Sequence, residues 1–164
     1  MNEKISKILA GIAAETFEGL AFMFGFPEED ENADSGESVV VTRVGFQGPF
    51  SGQIIMAVTQ QTVQELTENM LGLDDGEDIH PDDQTDALKE TINVICGNLL
   101  PAIAGKDAVF DIQPPEILAD TSSVEKATHG EPVSVAKLSI DDEPCQLSLY
   151  IDGQNPEAFM KLTD

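Results

Sequence analysis

Ser38-Val-Val-Val-Thr-Arg-Val-Gly-Phe-Gln-Gly-Pro-Phe-Ser-Gly-Gln-Ile-Ile-Met-Ala-Val58 is the stretch whose reading decides the fold. Residues 38–46 and 52–58 are rich in Val, Ile and Met, residues that suit a pleated, half-buried surface. Gln-Gly-Pro-Phe-Ser-Gly between them holds the Gly and Pro that a tight connection needs, so the stretch reads as a β-hairpin. Downstream, Val63, Leu66 and Met70 are helix-spaced and Gly72 is a stop, which predicts a helix over Gln60–Leu71. A second hairpin is expected from Val133–Ile140 and Cys145–Ile151, turning at Asp-Asp-Glu-Pro.

Upstream, Ile5, Ile8, Leu9, Ile12, Phe17, Leu20 and Phe24 lie along one stripe of a helix over residues 3–24, which Pro27 ends. A long helix runs from Thr85 to Ala104, capped by Asp82 or Asp83 and closed by Gly105, with Pro101 expected to kink or end it. Glu28–Glu37 and Asp74–Asp83 read as acidic loops. The second lacks the Asp-x-Asp-x-Asp-Gly order and closing Glu of a calcium loop. Pro114-Pro115 marks a turn, Glu116–Ala119 a short extended piece, and residues 156–162 a last short helix. Hairpins make an antiparallel sheet and the long helices must cover one face of it. The fold class is therefore α+β, a two-layer sandwich in one domain spanning residues 1–164. A helix followed by a hairpin occurs twice, a loose internal doubling.

Charge narrows the partners. Asp plus Glu number 31 against 8 Lys plus Arg, a formal charge of -23, and Arg43 is the single arginine. Such a field repels nucleic-acid phosphates and anionic membranes, so neither is an expected partner. It favours a partner with a basic rim, or it simply solvates the surface. Leu20–Phe26 is too short to cross a bilayer, and the first residues lack the apolar core of a signal peptide, so a cytoplasmic protein is expected. Cys96 and Cys145 lie outside any CxxC or Cys/His cluster, which leaves no zinc pattern. They admit a disulfide or a pair of reduced core thiols, and the second is the expectation.

On the long helix, an advance of about 100° per residue puts Leu88, Ile92, Ile95, Leu99 and Ile103 on one arc. Asp86, Glu90, Asn93 and Gly97 fall opposite. Asp86 explains itself as a first-turn carboxylate facing the helix dipole, and Glu90 as a good helix former. Asn93 and Gly97 do not. An asparagine amide competes for backbone bonds, and a mid-helix glycine costs about 1 kcal/mol against alanine. Two costly residues one turn apart on the outer face suggest a use: an amide that can hold a water, and clearance for another backbone.

Asp86-Ala-Leu-Lys-Glu90-Thr-Ile-Asn93, continuing Val-Ile-Cys-Gly97-Asn98-Leu, resembles the signature of the CheC/CheX/FliY phosphatases of bacterial chemotaxis: Asp or Ser, three residues, Glu, two residues, Asn. It is most similar to CheX-type members, which carry one such helix. Glu15-Thr-Phe-Glu18-Gly-Leu-Ala-Phe-Met-Phe, the Gln-Gly-Pro-Phe-Ser-Gly hairpin and Pro114-Pro115-Glu116-Ile-Leu are similar in placement, so the resemblance spans nearly the whole chain. It implies dephosphorylation of a CheY-type response regulator. Asn93 would position the attacking water, Glu90 would dock on the regulator's lysine, and Asp86 and Gly97 would line the contact surface. It implies no cofactor of the chain's own, with Mg2+ on the regulator, and a homodimer. Two-site relatives repeat Glu-x-x-Asn on the first helix. Here that stretch reads Glu15-x-x-Glu18, and a carboxylate there would repel a phosphoryl group, so the first helix is not expected to be a second site. The alternatives are a non-catalytic module that grips the same partner and an acidic protein acting through charge alone.

Overall fold

A computed structural model describes residues 3–28, 39–73, 79–118 and 130–152. The last short helix expected over 156–162, nearly all of the first acidic loop and the first half of the second lie outside these residues. Strands β2 (Val39–Gln47) and β3 (Gly52–Thr59) form the first hairpin, and β6 (Ser134–Ile140) and β7 (Glu143–Ile151) the second. Pairing of β3 with β7 fuses the two hairpins. At one edge β1 (Gly25–Pro27) pairs with β6. At the other, β2 takes β4 (Asp111–Ile112) and β5 (Glu116–Leu118) one after the other. The result is an unclosed, wholly antiparallel sheet of 7 strands.

The register explains how one face becomes a core. Val44, Ile54, Leu149 and Ser134 stand in one row across four strands, and Thr42, Met56, Leu147 and Ala136 in the next. All eight are buried. Helices α1 (Glu3–Ala21), α2 (Gln60–Leu71) and α3 (Pro81–Ala104) close over these rows. Ile5, Leu9, Ala13 and Phe17 of α1, Val63 and Leu66 of α2, and Leu88, Ile92, Ile95, Leu99 and Ile103 of α3 join one continuous apolar cluster with the strands. This is the expected two-layer α+β fold, with the apolar arc of α3 facing inward.

Element ends depart from the sequence reading in four places. First, α1 stops at Ala21, and Pro27 lies in β1. Phe22 adopts a left-handed φ of 53°. The N–H groups of Phe22 and Met23 donate to the carbonyls of Glu18 and Phe17, and the Asn69 amide donates to Ala21 O at 2.8 Å. The cap comes from another helix, which local spacing does not reveal. Second, α3 begins at Pro81, so Asp82 and Asp83 belong to its first turn and not to a loop. The cap is neither carboxylate but His80, whose Nδ1 accepts from the Asp82 N–H at 3.1 Å. Pro81 at the first position loses nothing by lacking an N–H, and both carboxylates face the positive end of the helix. Third, of the two outcomes expected at Pro101, a kink or an end, the end does not occur: α3 continues to Ala104, and Gly105 closes it as expected, its N–H donating to Pro101 O at 2.9 Å. Fourth, Asp141 and Asp142 alone make the β6–β7 turn, both at positive φ, so Glu143 and Pro144 belong to β7.

Both cysteines are free and buried. Burial pushes each thiol up to about 12, which keeps both protonated.

Candidate functional site

The outer face of α3 presents Asp86, Glu90, Asn93 and Gly97, all exposed, as the sequence pattern predicts. The helix beneath is held firmly. Its opposite arc is fully in the core, and the Thr91 hydroxyl donates to Ala87 O at 2.8 Å. One turn upstream, Gln84 donates to Gln64 of α2 at 3.1 Å, and Gln64 donates to Glu68 at 2.8 Å. The polar side chains of that turn are tied up in a network. Those of the next are not: among the described residues, the side chains of Asp86, Lys89, Glu90 and Asn93 make no hydrogen bond or ion pair. They keep their full donor and acceptor capacity for a visitor.

Those four side chains form one wall of an open groove of about 490 Å³. Ile112, at the end of β4, and Gln113, Pro114 and Pro115, from the connection between β4 and β5, form the other. Register shows how this wall is set. Phe46 faces Ile112 and Arg43 faces Glu116, so Val44 and Gly45 of β2 stand opposite Gln113, Pro114 and Pro115. The extra residue makes a bulge, a device that re-aims a strand locally. Two prolines fit there because the bulge leaves N–H groups without ladder partners. The bulge is pinned on both sides. Gln113 N–H donates to Gly45 O at 2.9 Å, and Arg43 bonds Glu116 at 2.7 Å as well as the Gln53 amide oxygen. A methyl group at Gly45 would meet the Gln113 amide oxygen, so the Gln113 side chain packs directly over the glycine and would have to swing aside for a larger residue.

The groove therefore brings together Asp86, Glu90 and Asn93. Gly97 is exposed one turn further on and does not line it. The sequence pattern omits Lys89, Ile112 and Gln113 as lining residues. Helical spacing could have found Lys89, which is one turn from Asn93. Nothing local shows that the Pro-Pro turn returns beside α3. On α1, Glu15 and Glu18 are both exposed, and the Thr16 hydroxyl donates to Ile12 O at 2.7 Å as Thr91 does to Ala87. Glu15-Thr-x-Glu18 and Glu90-Thr-x-Asn93 are thus locally alike in structure, with a carboxylate in place of the amide. Among the described residues there is no group of three or more His, Cys, Asp or Glu placed to hold a metal. Among them, too, no helix is long and apolar enough to cross a membrane.

The family model described as chemotaxis phosphatase CheX matches residues 40–137, a span that includes α3 and both walls of the groove. The chain belongs to the CheX family. Solved CheX structures share the fold. The protein from Desulfovibrio desulfuricans superposes with a TM-score of 0.66 at 20% identity, covering 90% of this chain and 99% of that one. CheX from Vibrio vulnificus gives 0.67 at 15% identity, covering 93% and 100%. The CheX–CheY–BeF3–Mg2+ complex from Borrelia burgdorferi gives 0.63 at 19% identity, covering 90% and 97%. No curated protein matches the sequence. CheX identity thus rests on the family match, and the superpositions extend the same fold over the described helices and strands.

Proposed function

We propose that this CheX-family chain hydrolyses the aspartyl phosphate of a CheY-type receiver domain, with Asn93 orienting the attacking water and Glu90 docking on the receiver's active-site lysine. The observation that carries the reading is the groove itself, where Glu90 and Asn93 have no partner among the described residues and stand on a helix anchored along its whole opposite face. An acyl phosphate is a mixed anhydride and is already activated. Its hydrolysis requires a water held in line with the leaving oxygen, and positioning of that kind is worth several kcal/mol, about 7 or more in favourable cases. The water oxygen forms a bond to phosphorus while the bond from phosphorus to the aspartyl oxygen breaks. The products are free phosphate and the receiver's carboxylate, with the water's proton passing to the phosphate or to solvent.

A neutral amide suits this task. Asn93 can accept from the water and present its N–H2 to an oxygen without bringing a negative charge to the phosphoryl group. Glu90, three residues earlier, lies beside it on the same face. Asp86 belongs to the surface that meets the receiver, and Gly97 to its far rim. The Borrelia burgdorferi CheX in complex with CheY, BeF3 and Mg2+ supports the choice of partner and the placing of Mg2+ on the receiver's side. We include in the proposal a homodimer of this chain, which sedimentation of the purified protein would test.

The experiment is the phosphate lifetime of a CheY-type receiver, measured alone and with this protein. A shortened lifetime is expected. Binding without any change in lifetime would replace the enzyme with a non-catalytic receiver-binding module.

A further inference from the structure

We infer that Lys89 is the residue by which this groove recognises the phosphorylated form of its partner, by meeting phosphoryl oxygens directly. The inference rests on the phosphatase reading above and adds a residue that the Glu-x-x-Asn pattern omits.

Three observations carry it. Lys89 lines the groove between Asp86 and Asn93 on the helix face, and it is half-buried there. It lies one turn before Asn93, at the i, i+4 spacing that makes side chains neighbours. Helical side chains lean toward the N-terminus, so the Asn93 amide covers the surface above Lys89 and Glu90. A phosphoryl group held against Asn93 is then within reach of the Lys89 ammonium. Finally, Lys89 is uncommitted. Asp86 stands three residues before it and Glu90 beside it, yet neither pairs with it, nor does any other described residue. Arg43, in contrast, is spent on Glu116 and Gln53.

Charge gives the uncommitted lysine its importance. The chain carries -23, and the groove's own carboxylates, Asp86 and Glu90, stand where a doubly charged phosphoryl group must approach. The receiver's own Mg2+ and lysine offset the phosphoryl charge from its side, and Lys89 offsets the repulsion of Asp86 and Glu90 from this side of the groove. A compact ammonium with three donors binds phosphate oxygens as a point charge. It also gives the groove a means to release the product receiver, whose site has lost the phosphoryl charge. Lys89 is thus a specificity residue, distinct from Asn93, which acts on the reacting water.

The test compares wild type, Lys89→Gln, Lys89→Arg and Asn93→Ala, each checked for native helix content, with a CheY-type receiver carrying Mg2+ and either beryllofluoride or nothing. Affinity is measured for both receiver forms, and KM and kcat for dephosphorylation. Lys89→Gln is expected to weaken binding of the beryllofluoride form roughly tenfold, the scale of one charge-assisted hydrogen bond. It should leave the bare receiver's affinity unchanged and raise KM far more than it lowers kcat, and Lys89→Arg should restore binding. Asn93→Ala should keep the preference for the loaded form and lose kcat. If Lys89→Gln keeps the preference while Asn93→Ala is inactive, the role of Lys89 is overturned and the phosphatase reading stands. An equal loss for both receiver forms also overturns it. Full turnover by Asn93→Ala would overturn the water-positioning role of Asn93, and no turnover by the wild-type protein would overturn the phosphatase reading itself.

Discussion

A mid-helix asparagine gives up stability, because its amide competes with the backbone it sits in. Asn93 does so on the arc opposite the apolar stripe, which makes the position legible in the sequence alone. The fold adds that the amide has no partner among the described residues. Glu90 is legible through its spacing to Asn93 and not by itself. Lys89 does not stand out, because a lysine beside a glutamate on a helix has an ordinary explanation, and its place in the groove depends on the β4–β5 wall. Thr42 is a residue of the opposite kind. It is wholly buried in the row with Met56, Leu147 and Ala136, and among the described residues its hydroxyl has no hydrogen-bond partner. A buried hydroxyl left unsatisfied costs about 1–3 kcal/mol. Thr42→Val, of nearly the same shape, should raise stability by about 1 kcal/mol, read as a higher urea midpoint with an unchanged slope.

At the scale of elements, α3 shows what periodicity can and cannot give. Its two arcs follow from the sequence, since apolar residues at three- and four-residue steps have one way to be buried. Its ends do not. His80 caps through a ring nitrogen, a rarer choice than the aspartates beside it, and the helix runs through Pro101 to Ala104. The bulge opposite Val44 and Gly45 is equally hidden, because Asp111–Leu118 pairs with a strand some seventy positions away. Gly97 belongs to this scale as well. A methyl group added there would meet nothing within 4 Å, so nothing described in this chain requires a glycine. Gly97→Ala should stabilise the helix by about 1 kcal/mol, visible as a higher melting temperature. If the glycine provides clearance for the receiver, the same variant should dephosphorylate it more slowly. Unchanged turnover would leave Gly97 without a docking role.

Across the whole molecule, the hairpins and helices are readable one by one, and so is their sorting into two layers. The fusion of the hairpins through β3 and β7 is not, since strand order is a tertiary choice that each hairpin's sequence leaves open. The core that results holds two protonated thiols, Cys96 on α3 and Cys145 on β7. Each is raised by burial from 9.0 to about 12. The folded state therefore holds these protons more tightly than the unfolded chain. Their contribution to stability is complete below about pH 9 and is lost as pH climbs through about 12. The urea midpoint should fall across that window, and a variant with both cysteines replaced by alanine should show a shallower fall. The -23 charge acts at the same scale. It sets which surfaces approach the protein, while selection between phosphorylated and bare receivers is a matter for the few side chains of one groove.

The central claim is that an amide on α3, and no charged or nucleophilic group, drives the hydrolysis. The most direct measurement is the phosphate lifetime of a CheY-type receiver in the presence of Asn93→Ala, set against wild type and against receiver alone. The account predicts that the variant folds and melts at or slightly above the wild-type temperature, still binds the receiver, and leaves the lifetime at the value of the receiver alone. A lifetime shortened as much by Asn93→Ala as by the wild-type protein would contradict it.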